Sequence, residues 1–174
     1  MHADYGKQLG TAFAAVWQMH KDVSRLLTDV APKLEAGRTS SASVIKDTSW
    51  LLNSPDRWMP YRVSMSSAGG DLAPNVNEFV AVYFWGDPLK PQEPHLVLAR
   101  VTYLTDQDGK TWPDFWDADS ASFEWDQPFP LRVVNRFTPD HDRVESVSVT
   151  AVPLFDIASV DDVLRHMADV RAVV

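Results

Sequence analysis

Carboxylates interleaved with aromatic rings are the most unusual chemistry in this sequence, and they concentrate between Trp112 and Phe129. Trp112, Phe115, Trp116, Phe123, Trp125 and Phe129 are interspersed there with Asp114, Asp117, Asp119, Glu124 and Asp126. No Lys or Arg interrupts the run, so its formal charge is −5, the larger part of the chain's −8. Aromatic faces beside carboxylates suit a cationic ligand, a sugar ring or a basic protein partner. The candidate binding residues are therefore Trp112, Asp114, Trp116, Asp117, Asp119, Glu124, Trp125 and Asp126. The competing structural reading is that these aromatics fill a second face of a sheet while the acids stay solvated.

Catalytic chemistry has thinner support. Two carboxylates of residues 112–129 could flank a glycosidic bond, which makes a small hydrolase the alternative from another functional class. Pro55-Asp56 and Asp108-Gly109-Lys110 carry fragments of a magnesium-dependent nuclease pattern, but far apart in the chain. Asp106 and Asp108 open like a calcium loop, yet Lys110 occupies a ligand position and the sixth position lacks glycine. His2, His20, His95, His141 and His166 form no pair at metal-ligand spacing on a helix. Asp140-His141-Asp142 reads as a turn. The chain has no cysteine, which excludes disulfides, thiolate metal sites and cysteine nucleophiles. Gly-x-Gly-x-x-Gly, P-loop and Gly-x-Ser-x-Gly patterns are also missing. No catalytic residue, metal or cofactor is expected from these patterns.

The balance of charge narrows the partners. A net −8 opposes a duplex-wide nucleic-acid footprint, because phosphate binding depends on Lys and Arg releasing counterions. No apolar run approaches the ~18 residues that a membrane span needs, and no basic, apolar leader opens the chain. A cysteine-free composition fits the cytoplasm, the expected location. The expected function is non-catalytic recognition of a protein partner, in an adaptor, immunity or chaperone-like role.

These residues need a scaffold, and its centre is expected in two strongly apolar runs, Phe79–Trp85 and Leu96–Leu104. Both are short, rich in β-branched and aromatic residues, and joined by a connection containing Pro88, Pro91 and Pro94. That composition predicts the two central strands of an antiparallel hairpin. Alternation from Glu145 to Val152 predicts a half-buried strand, with Val147, Val149 and Ala151 inward and Ser146, Ser148 and Thr150 toward solvent. Further strands are expected around Arg57–Val63, at an edge, and within Phe129–Phe137. Arg38–Ser43 and Ser64–Pro74 read as connections, and Val44–Asn53 as a short helix.

Two helices frame this sheet. Leu9, Phe13, Val16, His20, Val23, Leu27, Val30 and Leu34 recur at steps of four and three, predicting a helix from Tyr5 to about Ala31, bent or ended by Pro32. Ala12, Trp17, Met19 and Leu26 broaden that stripe, which suits packing within its own domain; a homodimer through this helix is the other outcome. Ser159 and Asp162 form a capping-box start for a C-terminal helix with Val160, Val163, Leu164, Met167 and Val170 on its apolar side. The predicted fold is a single α+β domain spanning residues 1–174. Its antiparallel sheet of about four to six strands is flanked by the two helices.

Overall fold

The computed structural model describes residues 3–34, 38–45, 62–69, 73, 75–84, 93–104, 132–138 and 144–173. Helix α1 (Ala3–Leu34) leads into strands β1 (Arg38–Ile45), β2 (Arg62–Gly69), β3 (Val76–Tyr83) and β4 (His95–Tyr103). Strands β5 (Asn135–Phe137) and β6 (Val144–Pro153) follow, then helix α2 (Val160–Ala172). The sheet order is β1-β2-β3-β4-β6-β5, and every neighbouring pair is antiparallel. The architecture is the expected α+β arrangement.

The hairpin of β3 and β4 lies at its centre. Val80 stands opposite Leu98 and Val82 opposite Leu96, so the β-branched and aliphatic residues pair directly across the ladder. One face carries Val80, Val82, Leu96 and Leu98 beneath the two helices. The other carries Phe79, Val97, Ala99, Val101 and Tyr103 with Val144, Val147, Val149 and Ala151 of β6. Both faces of the central strands are buried, which explains why these segments read as continuous apolar runs rather than alternating ones.

Strand β6 departs from the expected half-buried pattern. Ser148 and Thr150 are buried, because the helix face of β6 lies in the two-sided interior and not toward solvent. The Ser148 hydroxyl donates to the Val173 carbonyl at 3.1 Å, tying the end of α2 to the sheet. Val144 also shares a face with Val147 despite an odd spacing. A bulge opposite Thr102 and Tyr103 absorbs one residue and restores the parity.

The strand expectations for the first half of the chain are corrected. Arg38–Ser43, expected as a connection, and Val44 and Ile45, expected in a helix, together form β1. Residues 64–69, expected as a loop, belong to β2, which is flanked by β1 and β3 and is therefore not an edge. These strands read Arg-Thr-Ser-Ser-Ala-Ser-Val-Ile and Arg-Val-Ser-Met-Ser-Ser-Ala-Gly. Such small polar residues carry almost no apolar alternation, and the backbone ladder between neighbours decides the conformation instead. Of the strand expected within Phe129–Phe137, residues 132–137 are described, and only Asn135–Phe137 are strand, residues 132–134 forming the turn that leads into it. Arg132 precedes it with φ of 63°, the left-handed conformation that turns the chain.

Pro32 neither ends nor precedes the end of α1 by much. The helix continues to Leu34, two residues beyond it. Proline removes one donor near the last turn, and the burial of Val30 and Leu34 on either side offsets that loss. At the start of α2 the capping box forms as expected. The Ser159 hydroxyl accepts from the Asp162 amide, and the Asp162 carboxylate accepts from the Ser159 amide at 3.0 Å. Val163, Met167 and Val170 are then fully buried against the sheet.

Candidate functional site

Helix α1 divides into two halves with different environments. Its 32 residues span about 48 Å, whereas the longest strand among the described residues, of 10 residues, spans about 33 Å. A straight helix of that length cannot lie wholly on this sheet. From Val23 onward the stripe is buried: Val23, Leu27, Val30 and Leu34 pack with Val163, Met167, Val170 and the helix face of β3 and β4. Lys33 also pairs with Asp161 of α2 at 3.3 Å.

Before Val23 the same periodic pattern leaves the core. Leu9 is 45% exposed, Phe13 63% and Trp17 65%. An apolar ridge on a projecting helix is the most distinct surface feature of the described residues. Lys21 lays its ammonium 4.4 Å from the centre of the Trp17 ring, a cation–π contact one turn along. Gln18 donates to Asp22 at 2.9 Å, and Arg25 lies 3.7 Å from the same carboxylate. Polar contacts therefore rim the lower end of the ridge.

His20 marks the boundary between the halves. Its ring meets Phe84 with centroids 4.2 Å apart and planes tilted by 53°. Partial burial there pushes the imidazole below its ordinary value, so it stays neutral at pH 7.

A second ionic feature pins α2 to the sheet. The Arg171 guanidinium grips the buried Glu78 carboxylate with two nitrogens, at 2.7 and 2.6 Å. Near the start of β5, Arg132 pairs with Asp156. Among the described residues no group of three or more His, Asp or Glu side chains could hold a metal ion. No described helix is long and apolar enough to cross a membrane.

The sequence-based site falls elsewhere. Trp112, Asp114, Trp116, Asp117, Asp119, Glu124, Trp125 and Asp126 all lie outside the described residues, as do Asp140-His141-Asp142 and Asp106 to Lys110. The ridge was only partly visible in the sequence. Periodicity places Leu9, Phe13 and Val16 on one stripe with Val23 and Leu27, but it does not show that the stripe outruns the sheet. Comparison with known proteins found no matching family, no matching curated protein and no matching solved structure.

Proposed function

We propose that this protein is a non-catalytic binding protein that recognises other protein chains, in an adaptor, immunity or chaperone-like role. The observation that carries this reading is the exposed Leu9–Phe13–Trp17 ridge. Large apolar side chains gain free energy when covered, so a projecting row of them is a surface suited to association. The acidic-aromatic residues Trp112, Asp114, Trp116, Asp117, Asp119, Glu124, Trp125 and Asp126 add a second recognition feature, whose charge suits a basic partner. A structural subunit assembling through α1 is the variant of this reading that the ridge itself favours. The cysteine-free composition suits a cytoplasmic setting.

Calorimetric titration of the intact chain with a lysine-rich peptide, and with a glutamate-rich peptide of equal length, tests the charge preference. Saturable heat with the first alone supports a basic partner. Equal behaviour with both overturns it.

A further inference from the structure

The ridge on α1 has a matching depression on the same side of the helix. Gly6, Gly10, Phe13 and Trp17 follow one another at steps of four, three and four, which aligns them along one side. Glycine inside a helix is unfavourable relative to alanine. Nothing within the chain requires it here, because a Cβ added at Gly6 or Gly10 would meet no atom within 4 Å. Two shallow notches are thus followed by two exposed rings, 63% and 65% accessible.

We propose that a second copy of this chain covers this half of α1. The copies lie antiparallel about a two-fold axis between residues 11 and 12, and Phe13 and Trp17 of each sit over Gly10 and Gly6 of the other. Gly10 lies as far to one side of that axis as Phe13 does to the other, and Gly6 matches Trp17 in the same way. A two-fold interface needs a self-complementary patch, and notch against ring provides one. Small residues at the crossing let the two backbones approach closely while the rings fill the space beside them.

Charge favours a second copy, and the area suffices for a weak one. Aromatic side chains offer about 150–250 Å² each, so the two rings present roughly 250 Å² per copy. That is about half of what each copy must supply for an interface of ~1,000 Å², and Leu9, the half-buried Val16 and the rim supply the rest. The dimer is consequently a weak one. Residues 3–22 hold Asp4, Lys7, Lys21 and Asp22, a neutral stretch in a chain of net −8. Two copies therefore meet at a stretch that adds no net charge to their mutual repulsion.

This inference rests on the binding role proposed above, and one substitution tests it apart from that role. Gly10→Leu keeps the helix and adds apolar surface, so undirected stickiness would rise. In the proposed dimer it fills the notch that Phe13 needs. Sedimentation equilibrium of the full chain at high micromolar concentration should show wild type rising from 19.5 kDa toward twice that mass. Gly10→Leu should weaken association by at least about ten-fold, and Phe13→Ala likewise. Wild type remaining at 19.5 kDa, or Gly10→Leu associating as tightly as wild type, overturns the dimer. The lysine-rich peptide titrated into the Gly10→Leu chain reads the binding role separately. Retained heat keeps that role whether or not the dimer stands, and heat lost in a folded variant makes the peptide, not a second copy, the occupant of the ridge and overturns the dimer.

Discussion

Arg171, in the last turn of α2, holds the carboxylate of Glu78 in β3 through a two-nitrogen fork. The Glu78 side chain is completely inaccessible, whereas that of Arg171 is 36% exposed. The fork reaches from the rim of the structure onto a charge inside it. A carboxylate there is tolerated only while cationic donors satisfy it. The same contact fixes the end of α2 against the strand at the sheet's centre, ninety-three residues away in sequence.

Replacing Arg171 with Ala should therefore cost about 3 kcal/mol, the low end for breaking a buried pair because water can reach this one from the Arg171 side. Arg171→Lys keeps the charge but loses the planar fork, and should fall between the two. Urea midpoints of the three chains check this order. A midpoint unchanged in Arg171→Ala would show that the fork does not hold α2 in place.

Val82 and Val101 test the two faces of the sheet independently. Both are fully buried, Val82 under the helices and Val101 on the opposite face. Each Val→Ala change should cost on the order of 1–3 kcal/mol from lost transfer energy and a residual cavity. Similar losses at both sites would confirm a sheet buried on both sides. A negligible loss at Val101 would mean that its face closes only loosely.

The cap on α2 carries an acid-range signature. The Ser159 hydroxyl is the main influence holding the Asp162 carboxyl below its usual value. Burial opposes it, and the Ala158 amide, Arg165 and the Ser159 amide reinforce it. A depressed carboxylate contributes stability above its unfolded value, and that contribution disappears as pH falls through the folded one. Ser159→Ala should lower the melting temperature at neutral pH, consistent with a cap hydroxyl worth about 1 kcal/mol. The gap between variant and wild type should narrow in acid, which melting curves taken from neutral pH down through the carboxylate range would show. A constant gap would separate the cap from Asp162 ionisation.

His20 acts in the same direction at higher pH. Burial against Phe84 lowers its proton affinity in the folded chain, so the unfolded chain takes up the proton first. Stability from this residue is complete above the unfolded value of about 6.5 and declines as pH falls below it, until the folded ring also protonates. His20→Phe should flatten stability across that window. Imidazole signals followed by NMR should place the His20 midpoint below the ordinary histidine value. An ordinary titration there would mean that its ring is not held against Phe84.

How much of this was legible depends on what each segment uses to fold. Phe79–Tyr83 and Leu96–Tyr103 announce themselves because buried strands need apolar side chains on both faces. The C-terminal helix does so through Ser159, Asp162 and its spaced Val and Met residues. β1 and β2 are hidden because Ser and Thr pair through the backbone, and a ladder leaves no periodic trace in such residues. Ser148 and Thr150 mislead for a related reason: small hydroxyl side chains read as solvent-facing, yet they fit beneath a closely packed helix. The ridge on α1 is a matter of length, since one stripe serves two environments and only the size of the sheet decides where it changes. The acidic-aromatic residues announce recognition chemistry by composition, while convergence in space is information that composition does not contain.

The acidic residues can nonetheless be tested by charge alone. Replacing Asp114, Asp117 and Asp119 with Asn removes three of the five acids between Trp112 and Phe129 while keeping shape and side-chain size. If these acids steer a basic partner, association with a lysine-rich peptide should slow several-fold and its salt dependence should weaken, because distributed charge acts mainly on encounter. Stability should move by under about 0.5 kcal/mol, since solvated acids contribute little to the fold. Total charge must be separated from local charge, as any chain of net −8 attracts lysine. Asp29, Glu145 and Asp169 are exposed and lie on other elements, so changing them to Asn, Gln and Asn removes the same charge elsewhere. A local site predicts a large effect from the first set and a small one from the second. Trp17 is accessible in any case, so acrylamide quenching must be read in a Trp17→Phe background, where a loss of quenchable emission on further changing Trp112, Trp116 and Trp125 to Phe would support exposed tryptophans for recognition. Equal rates for the two charge-matched sets would remove the acidic-aromatic residues from the proposed function and leave the α1 ridge to carry it alone.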